Sequence, residues 1–296
     1  MRRALTAPVL LVLLVLLVAP AMGQQDFSQV EMQVVPVAGN VHMLVGAGGN
    51  IGVSAGDDGI LIIDDQFAPL ADKIKAALAS IQAGDLEFVL NTHWHGDHTG
   101  SNAIFGLEAT IVAHENVRQR LSTPQTVRGN DVPASPPEAW PVITFSSDLA
   151  IHFNGEAVHM RHAPAGHTDG DSIIFFEDSN VVHMGDHFFA GRFPFVDLGS
   201  GGSVEGMAEN VGMVIEHIGA DTKVIPGHGA LSSRADLELF HAMLIDTMAT
   251  VQKAIDAGKS LEDTKAAGLS DKWADWGSGF INTDVWIETV YTSLSQ

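Results

Sequence analysis

Four side chains able to ligate a metal stand within six residues, in the stretch His93-Trp94-His95-Gly96-Asp97-His98. Zinc takes imidazole nitrogen and carboxylate oxygen, usually in four-coordinate geometry, and a catalytic site keeps a position for water. On a loop leaving a strand, the spacing of His93 and His95 can aim both rings at one ion. Asp97 and His98 follow at once and need not point the same way. A single ion can hardly be reached by all four, so a second ion nearby accounts for the surplus. A lone His-x-His means little. Four ligand-type residues so close together, with Gly96 among them and Gly100 just beyond, are a much stronger signal.

Three isolated spots have matching chemistry. His167 lies in Ala165-Gly166-His167-Thr168-Asp169-Gly170-Asp171, a turn between two expected strands. Asp186 follows Met184-Gly185, and His228 lies in Pro226-Gly227-His228-Gly229. Each is a ligand-type residue beside a glycine at a strand end. Singly they are weak; with the first cluster they complete a two-metal set. The chain has no cysteine, so any metal is held by nitrogen and oxygen, and 14 histidines are present to supply the nitrogen.

This order of motifs resembles the metallo-β-lactamase superfamily. That family's pattern is His-x-His-x-Asp-His, then Gly-His-Thr, then an Asp (a Cys in some true lactamases), then a late His. The resemblance spans about residues 30 to 230. It implies a four-layer αββα sandwich with the metals at one edge, between the two sheets. It also implies that His93, His95 and His167 hold a first zinc, that Asp97, His98 and His228 hold a second, and that Asp186 bridges both. Two such ions imply a shared hydroxide as nucleophile, with Asp97 orienting it. Asp186, where some lactamases have Cys, is commoner in thioesterase, lactonase and nuclease relatives. The implied function is a dizinc hydrolase of a β-lactam, lactone or ester. The alternatives are a mononuclear iron persulfide dioxygenase and a non-catalytic metal-binding protein on the same fold.

The elements that must position these residues follow an α/β pattern. Strands are expected at Val34 to Val37, Val41 to Val45, Ile51 to Ala55 and Ile60 to Ile63, the last ending at Asp64 and Asp65. Apolar residues at 70, 74, 77, 78 and 81 share one helical face. Phe88 to Leu90 then runs straight into the histidine stretch. Loops at the C-terminal ends of strands carry chemistry in such folds. Ser101 reads as the N-cap of a short helix. Residues 123 to 141 contain five prolines and read as a long irregular loop, a candidate flap over the site. Strands resume between Leu149 and Met184, and Lys223 to Ile225 leads into His228. Ser203 is expected to cap a helix to about Ile218, and the end of the chain reads as helical. The stretch from Gly185 to Gly202 is a second loop, rich in Gly and Phe. It offers His187, Phe188, Phe189, Arg192, Phe193 and Phe195 as pocket walls. Trp94 and Trp140 are further candidates. His187, Phe188, Trp94 and Arg192 are the substrate contacts expected, Arg192 for a carboxylate.

Composition bounds the rest. The chain has 296 residues, 46 % hydrophobic and 17 % charged, which is globular. A net charge of -21 repels phosphate backbones, so nucleic acid is not an expected partner; a small molecule is. Met1-Arg2-Arg3, the apolar run Val9 to Val18 and Ala21-Met22-Gly23 read as a signal peptide cleaved after residue 23. The mature chain, 24 to 296, is then expected as one periplasmic or secreted domain without a stable membrane association.

Overall fold

The computed structural model describes residues 26–296; the expected signal peptide lies outside them. The first sheet begins with four antiparallel strands, β1 (Gln33–Ala38), β2 (Val41–Val45), β3 (Ile51–Gly56) and β4 (Gly59–Ile63). The turn at Asp57-Asp58 makes β3 and β4 a hairpin. After helix α1 (Ala71–Ile81), the strand β5 (Leu86–Leu90) joins β4 in parallel. Two one-turn helices follow, α2 (Gly96–Thr99) and α3 (Asn102–Phe105), then β6 (Thr110–His114) beside β5 and helix α4 (Glu115–Leu121).

The proline-rich stretch is more ordered than its composition suggests. It carries a small hairpin, β7 (Gln125–Val127) and β8 (Asn130–Val132), before β9 (Ile143–Phe145) closes the first sheet beside β6. Arg128 and Gly129 turn the hairpin with φ of 52° and 77°, the double left-handed geometry of a tight two-residue turn.

The second sheet orders β10 (Asp148–Phe153), β11 (Glu156–His162), β12 (Ser172–Phe176), β13 (Val181–His183), β14 (Lys223–Ile225) and β15 (Ser232–Ser233). Only β13 and β14 are parallel, because helix α5 (Val204–His217) crosses between them. The long helix α6 (Arg234–Asp256), then α7 (Leu261–Ala267) and α8 (Thr283–Leu294), complete the chain. Ser203 caps α5 by accepting from Gly206 N, and Ser233 forms a capping box with Asp236 on α6. Ser101 stands at the N-cap of α3 as expected but makes no side-chain capping bond: its hydroxyl is buried without a partner, and its backbone N–H donates to Asp65 Oδ1 at 2.9 Å.

Alternation along the strands sets the layers. Leu61 and Ile63 face inward against Ile174, Phe176 and Ile225, forming the core between the sheets. Ile60 and Ile62 face outward onto Ile74 and Leu78 of α1. Ile173, Phe175 and Val224 face outward onto α5, α6 and α8, where Trp286 is fully buried against Phe193. The order helix, sheet, sheet, helix is the expected αββα sandwich. No helix among the described residues is long and apolar enough to cross a membrane.

Candidate metal centre

The expected ligands converge from both sheets. His93, His95, Asp97 and His98 come from the loop after β5 and from α2. His167 lies in the turn between β11 and β12, Asp186 in a 3-10 turn after β13, and His228 just past β14. Cross-sheet bonds hold these loops in place. Asn50, at the start of β3, donates its side-chain amide to the carbonyls of Pro226 and Gly229, both at 2.9 Å.

Two trios of donor atoms result. His93 Nε2 and His167 Nε2 lie 3.1 and 2.8 Å from His95 Nδ1. His228 Nε2 lies 3.4 Å from both His98 Nε2 and Asp97 Oδ2. Asp186 stands between them. Its Oδ2 is 3.5 Å from His167 Nε2, and its Oδ1 is 3.1 and 3.4 Å from His98 Nε2 and His228 Nε2. All seven residues named from the sequence are thus brought together.

The outer nitrogens of the rings show what the inner ones are for. A carbonyl or carboxylate oxygen only accepts, so the partner fixes the tautomer. His167 Nδ1 donates to the Phe195 carbonyl at 2.7 Å, and His95 Nε2 to Asp197 Oδ2 at 2.9 Å. His98 Nδ1 donates to Asp64 Oδ2 at 2.7 Å. The Thr92 hydroxyl also donates to Asp64, at 2.7 Å, so it is left to accept from His93 Nδ1 at 3.0 Å. The neutral form of each of these rings therefore turns a bare lone pair inward. Lone pairs 2.8 to 3.1 Å apart repel unless a cation lies among them. Asp186 Oδ1 is buried without a hydrogen-bond partner, which fits the same cation. The donors fit zinc, and they fit other divalent ions that accept imidazole and carboxylate.

Electrostatics separate the trios. Burial pushes His167 down to about 4 and His93 well below the usual imidazole range, so these two rings of the first trio are neutral imidazole. Burial opposes charge on His228 as well, but Asp186 and Asp97 outweigh it and hold its pKa up at about 9. His98 is raised in the same way by Asp186, Asp97 and Asp64, against its burial. Burial would raise Asp97, yet His98 and His228 bring it down to about 2. The second trio thus favours positive charge, which a proton or a metal ion can supply.

Glycines let the cluster close. A Cβ on Gly49 would run into the His98 ring, and one on Gly227 into Asp186 Oδ1. A Cβ on Gly166, beside His167, would strike the His187 imidazole.

Beside the cluster opens a cavity of about 550 Å³, lined by Trp94, Phe189, Arg192 and Phe195 among others. The β7–β8 hairpin contributes Val127, Arg128 and Val132, so part of the expected flap does reach the site. Two expected substrate contacts are corrected. His187 and Phe188 do not line this cavity, because the 3-10 turn at Asp186 rotates them inward. His187 is buried with Nε2 3.1 Å from Asn210 Nδ2, and burial pushes its pKa down to about 3. Phe188 packs on Phe240 of α6. Trp140 packs beneath Arg118, outside the cavity lining. The sequence reading missed Asp64, Thr92 and Asp197, which act through the ligands. For Asp64 a signal existed: a carboxylate directly after a fully apolar strand must find buried donors.

A buried His/Asp cluster able to hold metal ions stands at the edge of an αββα sandwich, and the comparisons agree on the family this implies. The family model described as the metallo-beta-lactamase superfamily matches residues 37–250, and the chain belongs to that superfamily. A hydroxyacylglutathione hydrolase of Methylococcus capsulatus is 31 % identical over 148 residues, 48 % of each chain. An atrochrysone carboxyl ACP thioesterase of Aspergillus terreus is 25 % identical over 146 residues, 49 % of this chain and 40 % of that one. The chain therefore spans about half the length of these curated relatives, or less. Among solved structures, a sec-alkylsulfatase from Pseudomonas sp. superposes with a TM-score of 0.67 at 13 % identity, over 88 % of this chain and 50 % of that one. A metallo-β-lactamase from Pontibacter korlensis gives 0.60 at 13 %, over 73 % of this chain and all of that one. At such identities the structures show the shared fold.

Proposed function

We propose that this chain is an exported, single-domain dizinc hydrolase that cleaves an activated acyl bond, an ester, thioester, lactone or β-lactam. The observation that carries this reading is the pair of donor trios sharing Asp186, with the outer nitrogens of four of the five rings donating away from the cluster. His93, His95 and His167 would hold one ion, Asp97, His98 and His228 the other, with Asp186 common to both. When bound, the ions supply a water of lowered pKa and a Lewis acid for the developing oxyanion. Asp97 is 29 % exposed and faces the cavity. A carboxylate that ligates a metal is deprotonated, so it would orient a water by accepting from it and would not store the proton. Trp94, Phe189 and Phe195 form an apolar wall that excludes bulk water from the reacting bond. The relatives named as a hydroxyacylglutathione hydrolase and a thioesterase support an acyl substrate. The net charge of -21 disfavours nucleic acid.

The test is a panel of esters, thioesters, lactones, β-lactams and phosphodiesters with zinc-reconstituted protein, alongside metal analysis. Acyl hydrolysis with about two zinc ions per chain is expected, and His95→Ala should abolish it. Turnover no faster than that variant, or a single iron per chain, would refute the proposal.

A further inference from the structure

Apart from Asp97, Asp186 and the histidines of the cluster, the charged groups lining the cavity are two arginines, Arg128 and Arg192. The chain carries 36 acidic residues against 15 Lys and Arg. Neither guanidinium is within ion-pair distance of a carboxylate among the described residues; Arg120 and Arg234 are paired, Arg118 and Arg161 are not, but of the unpaired arginines only Arg128 and Arg192 line this cavity. Arg128 sits instead over aromatic rings, 4.6 Å from the centroid of Phe280 and 5.9 Å from that of Phe195. It stands at the tip of the β7–β8 hairpin with φ of 52°, a conformation that favours Gly or Asn. An arginine held there against that preference, stacked and unpaired, points to a role for the guanidinium itself.

The other side of this contact comes from the C-terminal segment. Phe280 and Ile281 lie beyond residue 250, where the family match ends. The same segment backs Arg192: a Cβ on Gly279 would lie 3.5 Å from Arg192 Cδ, and Phe193 N donates to the Trp276 carbonyl at 3.2 Å. The hairpin and the C-terminal segment thus meet across the cavity mouth. They present two unneutralised cations above an apolar interior.

We propose that Arg128 and Arg192 select the ligand. It is a small amphipathic anion, an apolar body with a carboxylate or sulfonate-type charge remote from the bond to be cut. Phe280 packs on the apolar body and holds Arg128 over it. Calling this ligand the substrate rests on the hydrolase reading; its binding does not.

Two matched fluorescent probes test the selection on the full, zinc-loaded chain: anilinonaphthalene sulfonate, an anion, and phenylnaphthylamine, its neutral counterpart. Arg128→Ala and Arg192→Ala should each raise the Kd of the sulfonate about fivefold, the size of one exposed ion pair, and leave the neutral probe unchanged. Arg128→Lys should recover most of the loss. Phe280→Ala should weaken both probes. Arginine variants that weaken both probes alike, or neither, overturn the proposal, as does a Phe280→Ala variant that changes nothing. A second arm compares para-nitrophenyl hemisuccinate with the neutral butyrate, where the arginine variants should raise KM for the anion alone and spare kcat. If the wild type hydrolyses neither ester nor any other acyl compound, the hydrolase reading fails while the probe result still decides the selection.

Discussion

Asp64→Asn is the most searching single substitution. Asp64 is fully buried and accepts three hydrogen bonds: from Thr92 N at 2.8 Å, the Thr92 hydroxyl at 2.7 Å and His98 Nδ1 at 2.7 Å. Its φ of 64° is one that Asn adopts readily, so the backbone is spared. The amide keeps one accepting oxygen and turns an NH2 toward donors. The least costly relief is for His98 to change tautomer, placing its proton on Nε2 and removing that lone pair from the second trio. Losing the outer partner of a metal-ligating histidine costs about 10- to 100-fold in metal affinity, or about 1.4 to 2.8 kcal/mol. The first trio keeps Asp197 and the Phe195 carbonyl. Zinc per chain after dialysis should therefore fall from about two to about one, and competition with a chromogenic chelator should show that only the weaker ion is lost. Asp197→Asn is the matched control. Its amide oxygen can still accept the His95 Nε2–H, leaving only the longer bond from Ser200 N at 3.2 Å to be lost, so its effect should be smaller and confined to the first trio. A folded Asp64→Asn protein that holds two ions with unchanged affinity would refute the assignment of Asp64 as the residue that orients His98.

Gly227→Ala should displace the Asp186 carboxylate and weaken both ions at once, by about 10-fold or more, in the same chelator titration. Trp286→Ala, which empties a fully buried site beside Phe193, should cost about 3 to 5 kcal/mol in denaturant unfolding without altering zinc stoichiometry. In chelator-treated protein, stability should peak near pH 6.5. His167 is held near 4 when folded, so stability is lost as pH falls from the unfolded value of about 6.5 toward 4. His228 is held near 9, so its contribution is full below about 6.5 and is lost as pH rises through 9. Thermal melts across this range check both limbs, and a flat profile would show that these histidines are not so perturbed.

The sequence was most legible where the chemistry is local. Four ligands fall in one loop because β5 ends there, and the glycines beside His167, Asp186 and His228 mark where backbones must approach. The strands were legible because both sheets are half or wholly buried, so their apolar runs stand out. The same logic misled at His187 and Phe188. Their adjacency to Asp186 suggested a pocket, but a single 3-10 turn decides which way each side chain points, and periodicity does not encode that. Asp64 and Asp197 were hidden because a carboxylate that steadies a histidine is, in sequence, one acid among many. The β7–β8 hairpin was masked by the prolines on either side of it.

The first sheet supplies His93, His95, Asp97 and His98, and the second supplies His167, Asp186 and His228. The chain has no cysteine, so no disulfide ties these halves. The ions of the proposed function would serve as that tie. Like a disulfide, they would fasten points far apart in sequence, though by binding the folded chain alone. Unlike a disulfide, the fastening would need no oxidant, and acid or a chelator would undo it.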